Sequence, residues 1–276
     1  MNRRSFLRLA AAGGVVAPVA AVGYGLAESN HLRIDRATVA VPHLPPAFRG
    51  LTVAFVTDLH HGRFVSAVDV SDVVRTTLAL SPDLVVLGGD YNGDVVGEAK
   101  HIAPCLDRLS PLAAPLGVYG VLGNHDNWRG RTATQAAMRR AHVEELTNAG
   151  VWLRRGGDRL RLGGVDDLWT GTADVAAALG DATADDAVLL VSHNPDLAET
   201  VRDRRVGLML SGHTHGGQVV VPGYGAPVLP SRYGQKYARG LVEAPATQVY
   251  VSAGTGMSGI GMRVNCRPEV SLLTLV

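Results

Sequence analysis

Short apolar runs alternate with amphipathic segments in the first half of the chain. Three runs rich in aliphatic and β-branched residues predict buried strands at 51–56, 84–87 and 117–122. Helical spacing of apolar residues predicts helices at 65–80, 98–109 and 131–149, the last closed by Gly150. Strand and helix in alternation favour an α/β fold with a parallel sheet at its centre.

The second half contains more strands than helices. Its apolar runs lie at 187–191, 206–210, 218–221, 249–251 and 271–276, and Gly- and Pro-rich loops separate the later ones. We therefore expect an α/β fold with a central β-sheet sandwich flanked by helices. One domain is predicted over residues 31–276, after an N-terminal segment of residues 1–30.

The N-terminal segment has the features of an export signal. Arg3 and Arg4 precede Phe6 and Leu7, and no charged residue occurs between positions 9 and 27. This pattern predicts export through the twin-arginine machinery and an extracytoplasmic location, associated with the membrane or cell wall. Pro18 and several glycines weaken a permanent membrane helix, and the weak cleavage site leaves an uncleaved anchor open.

Charge and cysteine content exclude some classes of protein. The 276 residues carry a formal net charge of +1, so there is no bulk electrostatic case for nucleic acid as a partner. Cys105 and Cys266 do not make a disulfide framework, and the sequence does not distinguish two thiols from one bridge.

Polar side chains follow five predicted strands at their carboxyl ends, where ligands bind in open α/β sheets. Each residue alone is compatible with a turn, a helix cap or a buried histidine. Together, four histidines, two aspartates and one asparagine at such positions favour a ligand site. The seven residues are Asp58, His60, Asp90, Asn124, His193, His213 and His215.

This residue set suits two divalent metal ions. Asp and His are common ligands of such ions, and Asn offers a carbonyl oxygen. Asp58 and His60 are two residues apart in an extended segment, so both side chains point the same way and can share one ion. His213 and His215 can serve two neighbouring ions, which in paired sites lie about 3.5–4 Å apart. Mn, Fe and Zn all accept these ligands, so the metal identity stays open.

Five motifs occur in the order "DLH", "GGD", "GNHD", "SHNP" and "GHTH", at 58–60, 88–90, 123–126, 192–195 and 212–215. This series resembles the calcineurin-like metallophosphoesterases and implies their four-layer αββα fold. "GVDDLWTG" (164–171), "PSRYGQKYARGL" (230–241) and "NCRPEVSLLTL" (265–275) look like the exported, membrane-associated branch. The resemblance covers most of the chain after residue 50.

The resemblance implies a role for each ligand residue. Asp58, His60 and His215 would bind a first metal. Asn124, His193 and His213 would bind a second, and Asp90 would bridge both. A metal-bridging hydroxide would then attack phosphorus in line.

The resemblance also implies that His125 faces the phosphate and protonates or stabilises the leaving oxygen. This sequence lacks the Asp that follows "GGD" in some relatives and orients that histidine. Asp126 is the candidate to hold His125 in the right tautomer, with Asp94 as the second choice.

Weaker features concern the substrate. Arg232, Tyr233 and Lys236 belong to a basic-aromatic segment that could contact a phosphate, although a solvated loop explains them as well. The apolar side chains of the glycine-rich loop 254–262 would suit a lipid or a membrane surface if they are exposed.

We therefore expect a dinuclear, metal-dependent phosphodiesterase that acts on cell-envelope lipids or polymers, and its phosphoester substrate can be lipid-linked. Hydrolysis of a pyrophosphate or phosphomonoester, such as a nucleotide-linked lipid precursor, is the alternative within enzymes. A metal-binding envelope protein without catalysis is the alternative from another class.

Overall fold

Two six-stranded mixed β-sheets form the centre of the computed structural model, which describes residues 22–93 and 100–276. In spatial order, the first sheet contains β1 (Arg33–Val39), β12 (Glu269–Leu275), β2 (Thr52–Val56), β3 (Leu84–Leu87), β4 (Val118–Gly120) and β5 (Glu144–Glu145). The second contains β10 (Gly240–Glu243), β11 (Gln248–Val251), β9 (Leu208–Ser211), β8 (Val188–Val191), β7 (Asp158–Gly164) and β6 (Ala149–Arg155). β2 to β5 are parallel, as are β7, β8, β9 and β11.

Helices flank the sheets. Residues 22–29 are helical (α1), and the further helices are α2 (Ala67–Ala79), α3 (Ile102–Leu109), α4 (Asn124–Arg140) and α5 (Val175–Leu179). Short 3₁₀ helices cover Pro46–Phe48, Pro195–Glu199, His215–Gly217 and Gly234–Tyr237. A capping box starts α2: Asp69 N–H donates to the Ser66 hydroxyl, and Ser66 N–H donates to the Asp69 carboxylate.

Alternating strand residues build separate core layers. Ala54 and Val56 of β2 pack toward α2, α3 and α4, whereas Val53 and Phe55 pack between the sheets. In β8, Leu189 faces the layer between the sheets and its neighbours face the outer layer with α5. Because β2 and β8 each bury both faces, their sequences are almost continuously apolar. The predicted sheet sandwich flanked by helices is confirmed.

Several predicted elements differ from the structure. The helix predicted over 131–149 begins at Asn124 and ends at Arg140, and residues 149–155 form β6, which pairs with β7. The strand predicted at 218–221 makes only isolated bridges. β1 was not expected, because half of its side chains are exposed and it forms only by pairing with β12 at the other end of the chain.

Some sequence-based predictions concern termini, cysteines and membrane spans. Arg3, Arg4 and Asp94 lie outside the described residues. The export signal and the choice of Asp94 as a partner of His125 therefore stay predictions, and so does the domain boundary at residue 30. Cys105 and Cys266 are both buried free thiols. Within 22–93 and 100–276, no helix combines the length and apolar character needed to cross a membrane.

Candidate metal centre

The loops that follow five strands meet in one place. β2, β3 and β4 deliver the first-sheet residues and β8 and β9 deliver those of the second, so the site lies where the carboxyl ends of both sheets adjoin. All seven predicted ligands are buried, with exposed fractions of 5% or less: Asp58, His60, Asp90, Asn124, His193, His213 and His215.

Left-handed backbone conformations concentrate at these positions. Five of the seven residues have φ between 48° and 68°, namely Asp58, His60, Asp90, His213 and His215. The left-handed conformation costs a residue other than glycine roughly 1–2 kcal/mol, and such strain persists only where surrounding contacts impose it. Cross-loop hydrogen bonds supply those contacts, since Asp58 N–H donates to Gly89 O and His60 N–H donates to Asp90 O.

The first ligand group is Asp58, His60 and His215. His215 Nε2 lies 3.0 Å from His60 Nε2 and 3.3 Å from Asp58 Oδ1. The backbone N–H of His213 donates to both Asp58 oxygens at 3.0 Å, which fixes the carboxylate. One potential ligand atom of each group member lies within 4.8 Å of the others, so the group can hold one cation.

The second predicted ligand group is Asn124, His193 and His213. His213 Nδ1 lies 3.3 Å from His193 Nε2, and His193 Nδ1 lies 2.8 Å from Gly88 O, which orients the ring. Asn124 Oδ1 and His213 Nε2 are buried without a hydrogen-bond partner. Buried polar atoms normally have partners, so the Asn124 oxygen fits coordination to a cation, whereas the His213 atom that faces His193 is Nδ1.

Asp90 lies between the two groups. Its Oδ2 is 3.3 Å from His60 Nε2 and 3.3 Å from His193 Nε2. Its Oδ1 accepts the backbone N–H of His125 at 2.9 Å. One carboxylate oxygen is therefore equally close to a member of each group, as a bridging ligand requires.

The ionisable groups of the site shift one another's pKa values. Burial would lower the pKa of His193, but the charge of Asp90 and a hydrogen bond to it hold that pKa well above its usual value, so His193 must lose a proton before it binds a metal. Burial would raise the pKa of Asp90, but the charge of His193 and hydrogen bonds from His193 and His60 hold it well below its usual value. Burial and the neighbouring His193 lower the pKa of His213 to about 3, and burial and His60 hold the pKa of His215 well below its usual value. His213 and His215 are therefore neutral at pH 7 and have lone pairs available for a metal.

His125 lies beside the cluster and is only slightly exposed. Its ring meets the His60 ring edge-on at 4.6 Å, and its Nδ1 is buried without a partner. His125 can also form a potential metal-ligand group with His60 and Asp90, so the geometry alone allows it to be a ligand. Burial lowers its pKa to about 4, so the free protein holds it neutral at pH 7.

Asp126 does not orient His125 in this structure, contrary to the expectation from sequence. Its Oδ2 accepts the N–H groups of Asp90 and Gly123 at 2.8 and 2.9 Å. Its Oδ1 accepts the N–H of Tyr91 at 3.0 Å. Its position in the first turn of α4 points the carboxylate back at these amides, so it braces the ligand loops instead.

The predicted substrate segment lies beside the cleft. Lys236 Nζ pairs with Glu199 Oε1 at 2.5 Å, so its charge is already matched. Arg232 and Tyr233 line a cavity next to the cleft, together with Trp169. Of the three residues, only Arg232 and Tyr233 are therefore placed to meet a substrate.

Sequence reasoning missed two tryptophans and one arginine. Trp128 and Trp169 line the cleft of about 280 Å³ over the site, and the Trp169 ring meets the His213 ring edge-on at 4.2 Å. Arg263 is completely buried, donates to Ala253 O at 2.8 Å and lies 3.4 Å from His215 Nδ1. The motif around Trp169 was a usable signal, whereas nothing local marks Arg263 as buried.

Several known proteins are similar to this chain in sequence. The metallophosphoesterase YkuE of Bacillus subtilis (strain 168) is 31% identical over 100% of this chain and 98% of its own length. The phosphodiesterase YaeI of Escherichia coli (strain K12) is 35% identical over 81% of this chain and 82% of its own length. A transmembrane protein with a metallophosphoesterase domain from Bos taurus is 32% identical over 86% of this chain and 56% of its own length.

The family profile of the calcineurin-like phosphoesterases matches residues 51–217. This range begins just before β2 and includes all seven predicted ligands. With a full-length relative at 31% identity and a site that offers ligand groups for metal ions, the chain belongs to the calcineurin-like phosphoesterase family of metal-dependent phosphoester hydrolases.

Proposed function

We propose that this protein hydrolyses phosphodiesters with two divalent metal ions. One observation carries the proposal: Asp90 Oδ2 is 3.3 Å from the Nε2 atoms of both His60 and His193. A carboxylate in that position can hold two ions side by side, with the first ligand group on one and the second on the other. Bound ions of this kind polarise a phosphate and activate a water nucleophile.

Residues of the protein hold the candidate metal ligands in place and contact the substrate in this proposal. Asp58 and Asp90 fix the position of the site through backbone hydrogen bonds from His213 and His125. His125 faces the leaving oxygen in this proposal and stabilises its charge by hydrogen bonding. Because His125 is neutral in the free protein, complete proton transfer requires that it take up a proton together with the anionic substrate.

Two further parts of the proposal, a preference for diesters and a location in the cell envelope, are supported by other observations. A relative with 35% identity is named a phosphodiesterase. Trp128, Trp169 and Val228 give the cleft apolar walls beyond the ligand groups, which suits a second substituent on phosphorus. The paired arginines and uncharged run of the N-terminal segment support export and contact with envelope lipids or polymers.

Turnover measurements test the activity. Protein loaded with Mn²⁺, Fe²⁺, Zn²⁺, Co²⁺ or Ni²⁺ is assayed with bis-p-nitrophenyl phosphate, p-nitrophenyl phosphate, pyrophosphate and phospholipids, and its metal content is measured. We expect diesters to be cleaved fastest. Faster cleavage of the monoester or of pyrophosphate would replace the diester proposal, and no turnover with any ion would remove it.

Export is tested by changing the two arginines. Arg3→Lys together with Arg4→Lys should keep the protein in the cytoplasm, since the twin-arginine route reads this pair. Cell fractionation and immunoblotting compare this variant with Arg36→Lys, a matched change outside the signal. Equal export of both variants would contradict this route.

A further inference from the structure

A second cavity adjoins the metal cleft and shares Trp169 with it. Its volume is about 490 Å³, and it is lined by Leu168, Trp169, Asp196, Thr200, Arg232 and Tyr233. The Trp169 ring lies against His213 of the second ligand group at 4.2 Å. A substituent on a phosphate at the metals can therefore pass beside Trp169 into this second cavity.

One wall of the cavity is held rigidly by Asp167. This carboxylate is completely buried, and its Oδ1 accepts the N–H of Trp169 at 3.0 Å and both the N–H and the hydroxyl of Thr170. The neighbouring Asp166 accepts the side-chain amide of Asn127 at 3.2 Å, and Asn127 belongs to the first turns of α4, which also carry His125. The loop with Trp169 is thus braced from within and tied to the helix beside the metals.

The opposite wall is held in the same way by Asp196. Its Oδ1 accepts the Ser231 hydroxyl at 2.6 Å and its Oδ2 accepts the backbone N–H of Arg232 at 2.8 Å. The Ser231 hydroxyl oxygen in turn accepts the N–H of Tyr233 at 3.1 Å. Asp196 is 3% exposed, and both of its carboxylate oxygens are occupied by these neutral donors.

The side chains of Trp169, Tyr233 and Arg232 remain exposed to the cavity and can contact a ligand. Trp169 and Tyr233 are 45% and 43% exposed, so each offers an aromatic surface that is already ordered. Arg232 binds Asp196 through its backbone, and its exposed guanidinium is the one cation among the six lining residues. A guanidinium favours phosphate or carboxylate.

We propose that this cavity is a subsite for the alcohol part of the phosphodiester, and that it selects alcohols which carry a second anionic group. The aromatic side chains hold the body of the alcohol, and Arg232 pairs with the anion. The inference rests on the proposed phosphodiesterase function and adds a substrate class to it.

Three p-nitrophenyl diesters with the same leaving group test the selection. Their second alcohols are glycerate, glycerol and choline, which are anionic, neutral and cationic. We expect kcat/KM to be highest for the glycerate diester and lowest for the choline diester. Arg232→Glu should lower the ratio of glycerate to choline activity by roughly 10-fold, mainly through KM, since the contact is remote from the bond that breaks.

Arg75→Glu is the matched control, because it makes the same charge change on α2, where the arginine side chain is 73% exposed. It should leave the ratio unchanged. A ratio that stays the same in Arg232→Glu, or falls equally in Arg75→Glu, would overturn the subsite. If bis-p-nitrophenyl phosphate and all three diesters resist cleavage, the proposed function fails instead.

Calorimetry keeps the subsite testable in that case. Phosphoglycerate, glycerol phosphate and phosphocholine, the monoesters that correspond to the three diesters, are titrated into metal-loaded protein. Phosphoglycerate should bind the wild type most tightly and lose that advantage in Arg232→Glu. Equal binding of the three monoesters to the wild type, or an advantage that Arg232→Glu retains, would refute the selection for an anion.

Discussion

The carboxylate of Asp126 accepts the backbone N–H of Asp90 at 2.8 Å, so the loop after β3 is fastened to the first turn of α4. The same side chain accepts the N–H groups of Gly123 and Tyr91. Because Asp90 and Asn124 lie on these two segments, one buried carboxylate ties the segment of the proposed bridging ligand to the segment of a proposed second-group ligand.

Replacement of Asp126 should reduce both stability and metal binding. Asp126→Ala leaves at least three buried N–H groups without an acceptor, which we expect to lower the free energy of unfolding by about 3–5 kcal/mol. Asp126→Asn retains one acceptor oxygen and should cost less. Urea denaturation of metal-free protein measures the stability, and elemental analysis measures the metal.

Ser66→Ala serves as the control, because the hydroxyl it removes bonds to Asp69 within the capping box of α2, and it should cost about 1 kcal/mol without loss of metal. If Asp126→Ala kept the wild-type stability but lost activity only, Asp126 would be an orienting partner of His125, as the sequence had suggested.

Asp90 should be required for both metals. Asp90→Ala removes the oxygen that lies 3.3 Å from a histidine of each group, so both proposed ions lose a shared ligand. We expect metal content to fall from about two ions to fewer than one per chain. Asp166→Ala is a comparison that removes a buried carboxylate bound to Arg131 and should keep both ions. Full occupancy in Asp90→Ala would contradict the bridge.

His125 should be needed for the rate but not for the metals. His125→Ala should lose roughly 10²–10⁴ in kcat, as is typical for removal of a group that assists proton transfer, while both ions stay bound. Elemental analysis and steady-state kinetics on the same preparation separate the two effects. Loss of one ion in this variant would make His125 a ligand, which its proximity to His60 and Asp90 permits.

The sequence predicts the fold best where strands are buried on both faces. β3 lies at the predicted positions 84–87, because four apolar residues in a row have no competing polar face. β1 alternates between partly buried and exposed residues up to the buried Val39, and it depends on a register with β12 in which Arg33 stands opposite Glu269. No local pattern encodes a pairing over that distance.

The same limit applies to the site. The seven candidate ligands were predicted because turns after buried strands gather at one edge of a sheet, and the structure brings all seven into one buried cluster. The function of Asp126 was misjudged, because its partners include the N–H of Asp90, which comes from a different loop. Arg263 and Trp169 become part of the site only through the three-dimensional packing that places them against His215 and His213.

Two glycines give the sharpest test of the two ligand groups. A Cβ atom at Gly212 would overlap the carboxylate of Asp58 and the hydroxyl of Thr57, whereas a Cβ atom at Gly123 would overlap the carboxylate of Asp90. Gly212→Ala should therefore displace Asp58 of the first group, and Gly123→Ala should displace the proposed bridge Asp90.

We expect Gly212→Ala to keep about one ion per chain and Gly123→Ala to keep fewer than one, since only Asp90 serves both ions. Each change should also cost about 1–3 kcal/mol of stability through overpacking. Gly23→Ala is the control, because a Cβ atom there meets nothing within 4 Å and alanine suits a helix. Elemental analysis of the three variants measures the number of ions per chain. Equal metal loss in Gly212→Ala and Gly123→Ala would mean that the ions bind as one cooperative unit, without separate ligand groups.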